Sequence, residues 1–288
     1  MAFQSHLWQL TELFAATDRG QRASAGERQR ASDLVAAMEA EAPECTPTML
    51  NGRWRLLYSS ESGIYRSSPF FWAFKQCTST LSSPVAIPGA GVAQGAPWAD
   101  AVYAITDAIP FYEIGPVTQT ISGVCDADDG CVVGDEVESD GASDIEEPSE
   151  GPDVALPSLA QAKVISEVRL EIARNFGLPG LSSLMTTTAS LEVDPSRPVP
   201  SALPVTMAIE TTAAKQSNLA TLLPALGELP TFPSGSAMEL LSAGSSRVRY
   251  STTYLTERMR VSRPVLDASP TRGEDASAFF VYVREDEM

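Results

Sequence analysis

The side chains in this sequence that could do chemistry are few, and their spacing fits none of the common catalytic patterns. His6 is the single histidine of the chain, so a triad, a metal site or a general base that uses histidine is excluded from the region beyond it. Asp126, Asp128 and Asp129 stand before Gly130, as in a calcium loop, but the glycine comes one residue too early for an EF-hand. We therefore predict a solvated acidic loop, and neither a catalytic residue nor a metal ligand is assigned.

A second cluster superficially resembles a nucleotide-binding loop. Gly89, Gly91 and Gly95 follow one another within seven positions, but their spacing differs from that of a dinucleotide-binding motif and no strand leads into them. Pro88 and Pro97 bracket the cluster. It is interpreted as a loop, and no cofactor is predicted.

The cysteines are too few and too scattered for a disulfide framework. They are Cys45, Cys77, Cys125 and Cys131. Cys125 and Cys131 are close enough in sequence to pair, but free thiols are the favoured interpretation.

Charge is concentrated in one segment of the 288-residue chain. The net charge is −17, and residues 126–153 hold twelve Asp or Glu with no Lys or Arg, so the remainder carries −17 + 12 = −5. Without a basic stripe, a nucleic-acid partner is disfavoured. Residues 126–160 are also rich in Gly, Ser and Pro, which predicts a disordered acidic insertion.

The elements that must position any site begin with a helical leader, defined as residues 1–46. Ser24 and Glu27 form a capping-box pattern, and apolar residues then recur at helical spacing. Pro43 and Pro47 end the helical pattern. We expect a second region, residues 47–288, to form one β domain.

Alternating apolar and polar residues predict about eight or nine strands in that domain, with few helices between them. The alternating segments are 54–58, 117–121, 164–172, 185–193, 203–209, 248–254, 257–263 and 278–284. The Pro-, Ser- and Gly-rich runs 82–99 and 264–277 are predicted to be surface loops. The fold class is mainly β, a lipocalin-like antiparallel β-barrel with an N-terminal helical leader and a disordered acidic insertion. Closing such a meander into a barrel removes its edges and leaves room for a small ligand.

The first predicted strand follows Gly52, and its alternation places Trp54, Leu56 and Tyr58 on one face. The inner faces of the other strands complete a candidate ligand-binding wall. Its members are Trp54, Leu56, Tyr58, Val168, Leu170, Val248 and Tyr250.

Both ends of the chain resemble the plastid lipid-associated protein family, also called PAP/fibrillin. The resemblance rests on the strand Gly-Arg-Trp-Arg-Leu-Leu-Tyr at 52–58, on 253–263, on Phe-Phe-Val-Tyr-Val-Arg at 279–284 and on the leader. Thr256 stands where the family usually has an acidic residue, and a Pro-containing insertion at about 264–276 separates the last two strands.

The resemblance implies a non-enzymatic plastid protein that binds or organises carotenoids, prenylquinones or acyl lipids at thylakoids or plastoglobules. The first residues show no transit-peptide pattern, so a presequence is expected to be missing or unusually short. In lipocalin-type barrels an arginine of the last strands covers the first-strand tryptophan. Arg263, which shares a strand face with Met259 and Val261, is the first candidate for this structural role, and Arg260 is the second.

An aromatic patch at Phe70, Phe71, Trp72 and Phe74 follows Pro69. No run approaches 18 apolar residues, so membrane contact is expected to be peripheral. The patch is either an interfacial wedge that touches a lipid surface or a short helix that plugs the barrel as core. The plug is the favoured interpretation.

Two other classes of function stay open. One is an interaction module that holds an enzyme of the prenylquinone pathway at the membrane. The other is a lipocalin-like enzyme acting on a bound lipid, which requires an inward acid such as Glu167, Glu171 or Glu192. Alternation places Glu167 and Glu171 outward, which disfavours the enzyme.

Overall fold

A computed structural model describes most of the chain. The described residues are 2–61, 63–79, 81–82, 97–107, 112–125, 162–172, 181–193, 202–217, 231–265 and 278–285, without the side chains of 2–7, 105, 106, 112, 172 and 181. The predicted acidic insertion at 126–160 lies outside them, as do almost all of the predicted loop 264–277 and most of the predicted loop 82–99.

The leader forms two helices, α1 (Ala2–Ala16) and α2 (Ala25–Ala40). The predicted capping box is present, because Ser24 Oγ accepts from the backbone of Glu27 and the Glu27 side chain accepts from the backbone of Ser24. The Ser24 hydroxyl and the Ser24 backbone N–H both donate to the Glu27 carboxylate, which lowers the pKa of Glu27 below its usual range. A short 3₁₀ helix, Pro47–Leu50, leads into the first strand.

The described residues form eight strands in a closed antiparallel barrel, which confirms the predicted fold class. Each strand pairs with the next, and the last pairs with the first. The strands are β1 (Gly52–Ser59), β2 (Tyr112–Ser122), β3 (Ala162–Ile172), β4 (Leu181–Val193), β5 (Leu203–Lys215), β6 (Arg247–Leu255), β7 (Met259–Val265) and β8 (Phe280–Arg284).

Two apolar clusters lie on opposite sides of the barrel wall. The inner cluster lies inside the barrel and has members from every strand except β7, such as Leu56, Val117 and Val248. The outer cluster joins the leader to the outside of β1, β6, β7 and β8, and its members include Phe14, Val35 and Val261. The leader thereby shares a core with the barrel, and a domain boundary at residue 46 stays a prediction.

Three helices lie outside the leader: α3 (Pro69–Cys77), α4 (Trp98–Asp107) and α5 (Ser234–Leu241). The sequence did not predict α4 or α5. Helix α3 contacts α5, β5 and β6, and the Trp72 ring lies 6.1 Å from the ring of Phe280. Phe280 is the first residue of β8, and Arg284, the last residue of β8, pairs with Trp54. Helix α3 and Trp54 therefore lie at opposite ends of the barrel.

Candidate ligand-binding site in the barrel

The first-strand tryptophan closes one end of the barrel. Trp54 is fully buried, and its indole Nε1 donates to Leu50 O at 2.8 Å. Gly52 has φ +131°, and a Cβ there would lie 2.4 Å from Arg284 Nη1. Glycine is therefore required both for the backbone conformation and for the approach of the arginine.

Two arginines cover this indole, and neither is the first candidate from the sequence. The Cζ of Arg284 lies 4.6 Å from the ring centroid of Trp54, and that of Arg260 lies 5.3 Å from it. Arg284 also donates to the carbonyls of Asn51 and Met49 at 2.7 and 2.8 Å. The expectation for Arg263 is wrong and that for Arg260 is right, while Arg284 was not considered.

Arg263 lies on the outside of the barrel because its strand face is the one beneath the leader. Met259 and Val261 belong to the outer cluster. The Arg263 guanidinium donates to both carboxylate oxygens of Glu39 in α2, at 2.8 and 2.9 Å. It therefore fastens the leader to β7 rather than covering Trp54.

Tyr58 is also misplaced by strict alternation. The β1–β8 pairing shifts register between Leu56 and Tyr58, and such a bulge transfers the following side chain to the other face. Tyr58 belongs to the outer cluster, where its ring stacks on Phe14 at 4.5 Å and on Phe279 at 5.5 Å. The expectation that it lines the interior is wrong.

The other residues of the expected wall do lie in the inner cluster. Trp54, Leu56, Val168, Val248 and Tyr250 are buried there, and the partly buried Leu170 packs against it. Their contact with a ligand stays a prediction.

Polar side chains interrupt this apolar wall at one level. Gln119 pairs with Trp54 on one side and with Ser166 on the other, and Ser166 pairs in turn with Thr187. All three polar residues are buried. The Ser166 Oγ and Thr187 Oγ1 atoms have no hydrogen-bond partner among the described residues. In the sequence, Gln119 and Ser166 occupy positions on the apolar faces of their strands. A polar residue at such a position is a sign of a polar site inside the barrel, which the sequence analysis above does not include.

Arg260 completes this polar belt, which consists of Gln119, Ser166, Thr187, Tyr250 and Arg260. Arg260 Nη2 donates to Gln119 Oε1 at 2.5 Å, and its Cζ lies 4.3 Å from the ring centroid of Tyr282. Its Nε and the hydroxyl of Tyr250 are buried without a partner in the described part of the chain.

Burial shifts the pKa values of Arg260 and Tyr250 in the belt and of the neighbouring Tyr282. It lowers the pKa of Arg260 to about 10, so the guanidinium is still cationic at neutral pH. Burial also raises the pKa of Tyr282 to about 12 and that of Tyr250 well above its usual value. Both phenols therefore keep their protons; the Tyr282 hydroxyl donates to Ser67 O at 3.4 Å, and the Tyr250 hydroxyl keeps a proton that it can donate.

The aromatic patch is a plug rather than a free wedge. Trp72 is buried in the inner cluster, and the half-buried Phe70, Phe71 and Phe74 pack against it. Tyr103 of α4 holds this helix, because its hydroxyl donates to Phe71 O at 2.6 Å. The expectation that Trp72 contacts a lipid surface is wrong, and contact through the three phenylalanines stays a prediction.

The acids considered for catalysis lie on the outer face of the barrel. Glu167 and Glu171 alternate with the inward Ser166 and Val168. Arg53 reaches Glu167 at 3.9 Å. Exposed Glu192 lies 3.9 Å from Arg247. No inward carboxylate stands among these three candidates.

A polar cluster beside a surface cleft of about 620 Å³ offers no activated nucleophile. Tyr65 OH donates to Asp107 Oδ1 at 2.8 Å, and Arg66 Nη2 donates to Oδ2 at 2.6 Å. Burial raises the pKa of Tyr65, which makes its phenolate harder to form. The cluster connects α4 to the 3₁₀ helix Ile64–Ser67.

Other chemistry is sparse in the described residues. Cys45 and Cys77 are free thiols, whereas Cys125 is disulfide-bonded, so the preference for free thiols is wrong at Cys125. Within the described ranges, no group of His, Cys, Asp and Glu could hold a metal ion. No helix in them is both long and apolar enough to span a bilayer.

The eight-stranded closed meander and its mixed apolar and polar inner wall define a lipocalin-like up-and-down β-barrel. The PAP_fibrillin family model matches residues 5–78, so this part of the chain is similar to the PAP/fibrillin family, in agreement with the resemblance seen in the sequence. Comparisons with curated proteins and with solved structures give no match. That family is generally structural or lipid-associated and is associated with plastids.

Proposed function

We propose that this protein binds an apolar lipid inside its barrel, at thylakoids or plastoglobules, and that it does not catalyse a reaction on that lipid. The observation that carries the proposal is the inner wall, where the polar belt interrupts the buried apolar side chains of the inner cluster. Small-molecule sites have this composition: a mostly apolar lining with a few placed polar groups.

The unpartnered atoms favour a bound molecule over a closed core. Buried polar atoms in folded proteins almost always have a hydrogen-bond partner, and leaving one unpaired costs roughly 1–3 kcal/mol. Ser166 Oγ, Thr187 Oγ1 and Tyr250 OH are buried without one in the described residues. A ligand with polar atoms supplies the partners that the barrel wall does not.

The proposal is tested by mass spectrometry of lipids that co-purify with the protein from its native source. Val168 is fully buried on the inner wall, so Val168→Trp fills the site from inside. Ile165 lies on the same strand and is 40% exposed, so Ile165→Trp is the matched control. Both variants are first checked for a cooperative thermal transition.

We expect specific lipids with the wild type and with Ile165→Trp, and little lipid with Val168→Trp. Absence of lipid from the wild type, or an equal amount in a folded Val168→Trp variant, would contradict binding in the barrel.

For the peripheral contact, α5 is a better candidate than the aromatic patch. Leu240 and Leu241 are 89% and 71% exposed, and their helix packs against α3, at the plugged end. Two exposed leucines transferred into lipid contribute about 1.5–3 kcal/mol each. We expect Leu240→Ser with Leu241→Ser to reduce flotation with liposomes strongly. Loss of flotation in Trp8→Ser instead would place the contact on the leader.

A further inference from the structure

An uncompensated positive charge lies inside the barrel. Arg260 is the one charged side chain that is buried among the described residues, with 2% of its surface exposed. No ion pair joins it to a carboxylate in those parts of the chain. Burial of an unpaired ion is costly, and buried charges are normally paired.

The covering of Trp54 does not explain this charge. Arg284 already lies closer to the indole, at 4.6 Å against 5.3 Å for Arg260. Arg284 is half-buried and donates to carbonyls at the barrel end. Arg284 shows that an arginine can cover Trp54 without being fully buried, so covering the indole does not explain the complete burial of Arg260.

Arg260 and Tyr250 together present donors without an acceptor. Arg260 uses Nη2 for Gln119, whereas its Nε and the Tyr250 hydroxyl have no partner in the described chain. The two side chains are close enough to interact electrostatically. The missing group is therefore an acceptor, and the positive charge requires that acceptor to be an anion.

We propose that the barrel binds an apolar lipid with a single carboxylate, which Arg260 and Tyr250 hold inside. The proposal rests on the proposed function, since it names the lipid class for the same interior. A carboxylate matches the fork of Arg260 Nε and its neighbouring Nη and carries the one negative charge needed. The apolar chain packs along Val168, Val248 and Met207 of the inner cluster.

The test compares a fatty acid with the alcohol of the same chain length. Equilibrium binding of hexadecanoic acid, hexadecan-1-ol and hexadecyl phosphate is measured at pH 7.5, below their aggregation limits. The proteins are the wild type, Arg260→Met, Tyr250→Phe and Arg263→Met. Arg263 is a matched control, because it lies on the same strand but faces outward to Glu39.

We expect the wild type and Arg263→Met to bind the acid at least about tenfold more tightly than the alcohol, which corresponds to ~1.4 kcal/mol. Arg260→Met should lose this preference while its affinity for the alcohol is kept. Tyr250→Phe removes one hydroxyl without changing the ring, and it should lower affinity for the acid several-fold. It also keeps the proposal testable if Arg260→Met does not fold.

The other outcomes separate this proposal from the proposed function. Equal binding of acid and alcohol by the wild type, or an unchanged preference in a folded Arg260→Met, overturns the carboxylate site but leaves a lipid-binding barrel. The same holds for an unchanged affinity for the acid in Tyr250→Phe. Tighter binding of hexadecyl phosphate than of the acid overturns the carboxylate assignment in favour of a phosphate. Failure of the wild type to bind any of the three, in a protein that also carries no native lipid, overturns both proposals.

Discussion

The docking of the leader on the barrel should depend on one aromatic stack. Phe14 of α1 is 1% exposed and stacks on Tyr58, which in turn stacks on Phe279. Phe→Ala at a buried site costs about 3–5 kcal/mol. Loss of an aromatic pair accounts for a further ~0.5–1.5 kcal/mol. Set against a typical domain stability of about 5–15 kcal/mol, Phe14→Ala should be severely destabilising.

The assay is urea unfolding followed by tryptophan fluorescence, with Trp8→Ala as the control. Trp8 lies on the same helix but is 76% exposed, so its removal should change the free energy of unfolding by less than about 0.5 kcal/mol. A cost below about 1 kcal/mol for Phe14→Ala would refute the reasoning. A separate early transition for the leader would likewise show that it does not share one cooperative core with the barrel.

Three further outcomes are expected. Gly235→Ala should lower Tm sharply, because the added Cβ would lie 1.9 Å from Ile209 O. Gly26→Ala is the control and should be neutral or stabilising, because nothing lies within 4 Å of its added Cβ. Thermal melts in which Gly26→Ala lowers Tm more than Gly235→Ala would contradict this reasoning. The free energy of unfolding should fall as pH rises from 10 to 12, because Tyr282 has a pKa of about 12 in the fold and ~10 in the unfolded chain, which therefore loses the proton first. The fall amounts to up to about 2.7 kcal/mol for Tyr282 alone. Urea midpoints at pH 9 and 11 check this, and Tyr282→Phe should show a shallower decline. Replacing 126–153 by a short turn should change stability by no more than about 1 kcal/mol, and a loss of several kcal/mol in urea unfolding would show that the segment packs or binds.

The sequence predicted the barrel well because alternation and capping are local signals. Ser24 with Glu27 marks the start of α2 by chemistry confined to four residues. Trp54 and Leu56 face inward as their period requires.

The wrong expectations for Arg263 and Tyr58 have two physical causes. Alternation shows that one face of a strand is buried, but it does not show whether that face lies inside the barrel or beneath another element. In β7 the leader buries the outer face as thoroughly as the core buries the inner face. That is why Arg263 was misassigned on the strength of Met259 and Val261. A bulge is the second source, since the register shift before Tyr58 leaves no mark in the sequence.

Only part of the polar belt can be predicted from the sequence. Gln119 and Ser166 stand at apolar positions of their strands, which is visible in the sequence. Their alignment with Arg260 depends on strand register around the whole ring, which one sequence does not specify.

Closure of the ring also fixes when the protein can fold. β1 pairs with β8, and Arg284 binds carbonyls at Met49 and Asn51, more than 230 positions earlier in the chain. During synthesis the apolar face of β1 emerges well before its partner strand, which lies more than 220 positions further along the chain. Contacts of such sequence separation are slow to form and leave apolar strands exposed in the meantime. Refolding from denaturant should therefore be slow and concentration-sensitive, and the nascent chain is expected to need a holding chaperone until β8 is released.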